Sequence, residues 1–322
     1  MTTPTTPTAP IATTAPPQTT ASQLRSGMLF AIAGTALFSV KSIFIKLAFQ
    51  QGIDATTLLT LRMLIAMPFY LLILGYAIKT RPHKAAFITQ KTVLQTIGLG
   101  FLGYYLASWL DFVALGYITA QLERLTLFTY PVMVALLSWI FFREKITLNI
   151  ILSLIVSYAG ISLLFSSESS ASTVAHAQTT SGALLVALAA LSFSIYVIFS
   201  KALITRLGSL IFTSIAMSSS SVFISIHFLA THPLSSLIVS AKLWGLAFLL
   251  AIFSTLIPSF LTSEAIHRIG ATRTSITGTL GPVITILLAV NILGEPFGWA
   301  QVIGLLLVLL GVSLLRIRTQ KK

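Results

Sequence analysis

Ten stretches of sixteen to twenty-four mostly apolar residues, separated by polar turns, leave this chain one environment to fold in. They fall at 27–48, 58–78, 94–115, 118–141, 148–165, 182–203, 210–229, 243–261, 272–293 and 300–315. A hydrocarbon core about 30 Å thick takes roughly 20 apolar residues per helix, so the runs read as membrane spans. Only 8% of the 322 residues are charged, where a soluble domain carries about a quarter. An ordinary soluble enzyme and a disordered protein are both excluded. The expected fold class is an all-α polytopic membrane protein of ten transmembrane helices.

The net charge of +13 does not point to nucleic acid, because the basic residues sit a few at a time between apolar runs. With the N-terminus inside, fifteen Lys and Arg fall in cytoplasmic segments, while Lys242 and, at most, Lys46 fall outside. That bias places both termini in the cytoplasm. Residues 1–25, rich in Thr, Pro, Ala and Ser, are expected to form a disordered cytoplasmic tail, and 317–322 a basic one. The longest break between spans, 166–181, holds no Lys or Arg and reads as an external linker between five helices and five. Cysteine is absent, and the five His show no metal-binding spacing. No Walker loop or nucleophile elbow occurs, so no cofactor, metal or catalytic residue is expected.

The two halves repeat. Residues 120–164 align with 271–315 at an offset of 151 without a gap, with 12 identities in 45 that include Pro131/Pro282, Glu144/Glu295 and Gly160/Gly311. The first helices align at an offset of 155, matching Gly27 to Gly182 and Lys46 to Lys201. A repeat of five helices must enter the membrane from the opposite side in its second copy. The turns agree: Glu144 lies in a basic turn, Glu295 in one without basic residues. Inverted repeats of this kind are chiefly a transporter feature; a duplication in a non-transporting protein is the plainer alternative. The two repeats are expected at 26–165 and 182–316.

The Gly-Glu pattern near the end of the ninth span, its Arg143-Glu144 counterpart in the fourth, the mid-span prolines and the lysines near the ends of helices 1 and 6 resemble the EamA family of the drug/metabolite transporter superfamily. The stretch from Leu110-Asp111-Phe112 through Gln121-Leu122-Glu123-Arg124-Leu125 to Thr129-Tyr130-Pro131 is similar to one bacterial branch of it. The resemblance covers about residues 26–316. It implies a ten-helix transporter of the bacterial inner membrane, with a central cavity lined largely by helices 1, 3, 4, 6, 8 and 9. It also implies export of amino acids, nucleobases or other small metabolites.

Ionisable residues inside a span are costly and are functional candidates by default. Lys41, Arg62, Asp111, Glu123 and Arg124 qualify, all in the outer half of the first repeat. Glu123 and Arg124 point about 100° apart, so one is expected to line the cavity while the other locks onto helix 2 or 3. Asp111–Arg124 or Glu123–Lys41 pairs would neutralise the charges. In the functional reading Lys41 or Arg124 receives a substrate carboxylate and Asp111 or Glu123 carries a coupling proton; in the plainer one the charges only tie helices together. Arg62 is the weakest candidate, because it can snorkel to headgroups, as can Lys46. The aligned positions of the second repeat, among them Tyr196 and Thr274, would form a hydroxyl-lined opposite wall.

Pro131 and Pro282 are expected to be kinks that serve as hinges. Glu144 and Glu295 read as structural, each favouring the N-terminus of the following helix. The resulting expectation is a secondary transporter exporting a small polar metabolite, whose partners are the lipid bilayer, the solute, a coupling proton and, as an open point, a second copy in a homodimer. A membrane sensor or assembly partner without transport is the alternative, and an intramembrane enzyme a third.

Overall fold

The computed structural model describes residues 21–143, 148–169, 173–278 and 280–314, with the side chains at 21–23, 169, 173, 263, 266, 267 and 270–276 excepted. Among the described residues the chain is helical. Eight helices are long and apolar enough to cross a membrane: α1 (Leu24–Phe49), α2 (Ala55–Thr80), α3 (Gln90–Ala114), α4 (Ala120–Phe142), α5 (Leu148–Glu168), α6 (Val174–Leu207), α7 (Ser209–Thr231) and α8 (Ala241–Thr262). Two shorter apolar helices follow, α9 (Leu280–Leu293) and α10 (Trp299–Leu314). The ninth run, expected at 272–293, is divided between the end of Ile257–Gly278 and α9, and the tenth, expected at 300–315, is α10.

The polar turns start helices in a recognisable way. Asp54, Thr89, Thr119 and Ser240 have extended backbones, and their side chains accept from the N–H groups of Thr57, Thr92, Leu122 and Leu243. Each fills an orphan donor at the start of α2, α3, α4 or α8. Several helices are interrupted within the membrane. A turn at Val40 divides α1 into Ala21–Ser39 and Lys41–Phe49. A π-helical stretch occupies Phe101–Leu106 in α3, and another Ile252–Leu256 in α8.

Helix α4 is interrupted between Ala120–Leu127 and Tyr130–Phe142, in the turn before Pro131, where the missing proline N–H leaves the Leu127 carbonyl without its helical donor. Pro282 lies near the start of Leu280–Leu288. One expectation about helix ends needs correction. The eighth and ninth runs are not parted by a coil, since helical backbone covers Ile257–Gly278. Gly34 packs on Thr262, Gly27 on Ile269, and Gly281 returns to face Ser39 and Thr35. The chain therefore reverses between Ile269 and Gly281.

Packing pairs α1 with α8, α2 with α7, α3 with α6 and α5 with α10. Small residues let these backbones approach closely. A Cβ on Gly160 would stand 2.7 Å from the Gly304 carbonyl oxygen, and one on Gly311 2.9 Å from that of Ser153. Residue number falls along α10 as it rises along α5, so these two helices are antiparallel. Similarly, Gly27 is closed off by Ile269 and Arg268, and Gly182 by Ile118 and Tyr117. Gly160→Ala is expected to cost about 1–3 kcal/mol through overpacking against backbone that cannot move aside. Thermal melting in detergent checks this. Gly98→Ala is the control, since a Cβ there meets nothing within 4 Å.

Candidate functional site

Helices α1, α3 and α4 bring three of the expected residues together. The Lys41 Nζ donates to Asp111 Oδ2 at 2.5 Å and lies 3.8 Å from Glu123 Oε1. Ser42 Oγ donates to Glu123 Oε2 at 2.7 Å. Lys41, Asp111 and Glu123 are all buried, Glu123 completely. Their positions follow from local structure. Lys41 and Ser42 open the second piece of α1, just past the turn at Val40. Asp111 lies near the C-terminal end of α3, and Glu123 in the first turn of α4.

Both carboxyls face the same ammonium, Asp111 Oδ2 at 2.5 Å and Glu123 Oε1 at 3.8 Å. Asp111 Oδ1 and Glu123 Oε1 have no donor among the described residues. Two carboxylates offer only acceptors, so a bond between them requires one shared proton. The cluster is thus one cation against two carboxyls, with a place for a proton.

Arg124 does something else. Its Nε donates to Thr285 Oγ1 at 3.0 Å and a terminal nitrogen to the Phe38 carbonyl at 2.9 Å. Thr285 in turn donates to the Ser39 carbonyl at 2.9 Å. Carbonyls beside a helix interruption in lipid need donors from elsewhere, and α4 and α9 supply them. The expected Asp111–Arg124 pair is therefore not formed, and Arg124 locks onto α1 and α9 rather than α2 or α3. Its place next to Glu123 turns it the other way around α4.

Arg62 was expected to snorkel and does not. It is 3% exposed, with its guanidinium carbon 4.9 Å from the Phe112 ring centroid and a nitrogen 3.3 Å from Ser108 Oγ. Tyr196 is not joined to the charge cluster. Its hydroxyl meets that of Tyr104 at 2.9 Å, and its ring packs with Phe193 and Phe212. The side chain of Thr274 and the whole of Glu144 lie outside the described residues.

Glu295 caps a helix, though not the one expected. Its Oε1 accepts from Ala120 N–H at 2.7 Å and its Oε2 from Gln121 N–H at 3.3 Å, at the start of α4 rather than α10. Gly294, with φ +68°, ends α9 in the left-handed conformation and turns the carboxylate toward that positive helix end. Glu168 joins it there through hydrogen bonds from the Thr119 hydroxyl and N–H. Glu264 pairs with Arg268 at 2.7 Å. Trp109 and Tyr105 are tied within the bundle to Thr56 and His227. Sequence reasoning missed Ser42, Thr285 and the carbonyls of Phe38 and Ser39. Only Ser42, beside Lys41, carried a signal.

An open cavity of about 620 Å³ lies at the C-terminal ends of α1 and α3, lined by Lys46, Gln50, Asp54, Phe112 and Tyr117 among others.

Known proteins place this geometry in a family. The chain is 27% identical over 312 residues to the uncharacterized transporter YcbK of Bacillus subtilis (strain 168), covering 92% of this chain and 96% of that one. An uncharacterized transporter of Archaeoglobus fulgidus is 28% identical over 227 residues, with 70% of this chain and 78% of that protein covered. A solved crystal structure shares the fold, with a TM-score of 0.62 at 16% identity over 92% of this chain and 98% of that chain. The sequence pattern of the EamA-like transporter family matches twice, at residues 25–166 and 180–317. The chain, a multi-pass membrane protein, therefore belongs to the EamA-like transporter family.

Proposed function

We propose that the protein is a secondary transporter of the bacterial cytoplasmic membrane. It exports a small polar metabolite, an amino acid or related compound, by alternating access between two inverted five-helix repeats. Both termini face the cytoplasm in this reading, as the distribution of basic residues requires.

The observation that carries the proposal is an exchange of contacts between the halves. Shifted by 151, the Gly160–Gly304 contact becomes Gly311–Ser153. Shifted by 155 and 151, Gly27–Ile269 becomes Gly182–Ile118. The irregularities repeat as well. The π-helical stretches begin at Phe101 and Ile252, and Arg143 and Gly294 share left-handed backbones with φ +55° and +68°. The equivalent helices α5 and α10 run antiparallel, as an inverted pair must; repeats of parallel topology would align them. Two inverted halves can rock about a site near the membrane midplane and present it to either side.

The buried charge cluster supplies a reason for selectivity and coupling on the wall of such a path. The Asp111–Glu123 pair is the place for a coupling proton. The test compares the small-molecule content of medium from cells overproducing the chain with that from cells carrying the empty vector. A metabolite enriched only by the chain is the expected result. No enrichment, with the protein confirmed in the membrane, would favour the non-transporting alternative.

A further inference from the structure

Of the three cations Lys41, Arg62 and Arg124, two are satisfied and one is not. Lys41 has Asp111 at 2.5 Å, and Arg124 has the Phe38 carbonyl and Thr285. Arg62 has no carboxylate within 4 Å among the described residues, and its Nε has no partner there. Its polar contacts are Ser108 Oγ at 3.3 Å and the Met63 sulfur at 4.0 Å. A guanidinium carries five N–H donors and cannot shed its charge. Left dry and without a counterion in contact it is costly, and a chain that keeps one in the membrane has a use for an anion there. The Asp111 charge reaches it only from beyond 4 Å, with Oδ2 held by Lys41.

Phe112 connects this cation to the outside. It lines the open outer cavity, and its ring carries the Arg62 guanidinium at 4.9 Å. Lys46 shares that cavity with the Asp54 carboxylate, so the cation left without a carboxylate contact is Arg62, behind the Phe112 wall. We propose that Arg62 is the docking group for the carboxylate of the transported solute, with Phe112 the partition between Arg62 and the outer cavity. The planar fork of a guanidinium matches a carboxylate with two parallel hydrogen bonds. The cavity volume of about 620 Å³ suits a small metabolite. This inference rests on the transport reading and adds the charge of the solute to it.

The experiment follows the medium of cells producing the wild type, Arg62→Gln, Arg62→Lys or empty vector, with membrane levels matched. Melting of each purified full-length protein is recorded in detergent without added solute. Carboxylate-bearing metabolites enriched by the wild type are expected to fall at least tenfold in Arg62→Gln. That variant should melt no lower than the wild type, because it removes an uncompensated charge. Should Arg62→Gln fail to reach the membrane, Arg62→Lys decides. It keeps the charge but loses the fork, so a comparable fall in export supports the assignment and unchanged export overturns it. If the wild type enriches only neutral or cationic solutes, or Arg62→Gln exports the same anions while melting lower, Arg62 is structural and the inference fails while transport stands. Enrichment equal to the empty vector would remove both.

Discussion

Replacing Lys41 by methionine is expected to destabilise the protein by about 3–5 kcal/mol, the range for breaking a buried ion pair from one side. The magnitude comes from what is left behind. Asp111 and Glu123 are 2% and 0% exposed, and without the lysine Asp111 loses its 2.5 Å donor. Glu123 keeps Ser42, but its neighbour becomes an uncompensated charge in a dry setting. The double variant Lys41→Met/Asp111→Asn should recover much of the loss, because both ends of the pair are then neutral. Such recovery is the mark of direct coupling, and a cycle of the two single variants and the double measures it. Melting of the full-length protein in detergent reads the effect. A Lys41→Met protein that melts like the wild type would mean that the ion pair contributes nothing.

Much of this cluster was legible in the sequence, and the reason is energetic. Lys41, Asp111 and Glu123 stand out because hydrocarbon tolerates so few charges that their partners must be one another. The apolar runs were legible on the same ground, since their length answers directly to bilayer thickness. What escaped depends on neighbours. Nothing around Val40, neither proline nor glycine, announces that α1 breaks there, so the task of Arg124 could not be read from α4 alone. Arg62 is one turn from a surface to which it could reach, and only the packing of Phe112 over it shows that it stays inside. Glu295 was read as favouring the start of the following helix, and its carboxylate meets the start of α4 instead. Its helix could not be identified, because the turn at Gly294 sends it across to α4 rather than along the chain.

Glu123→Gln is expected to cut flux driven by a pH gradient at least tenfold while leaving solute counterflow near the wild-type rate. The argument turns on the shape of glutamine. Its amide oxygen can still accept from Ser42, and its nitrogen can donate toward Asp111, whose Oδ1 otherwise lacks a donor. The variant thus holds the cluster permanently in the bonding pattern that the wild type reaches only with a shared proton. Counterflow exchanges one solute molecule for another and needs no change in that pattern, whereas net transport against a gradient must gain and lose the proton in each cycle. Proteoliposomes with an imposed pH gradient separate the two, using the metabolite identified from the medium as the probe. Gradient-driven flux that survives in Glu123→Gln would move the proton to another group. Loss of counterflow as well would show that Glu123 holds the solute or the fold, not the proton alone.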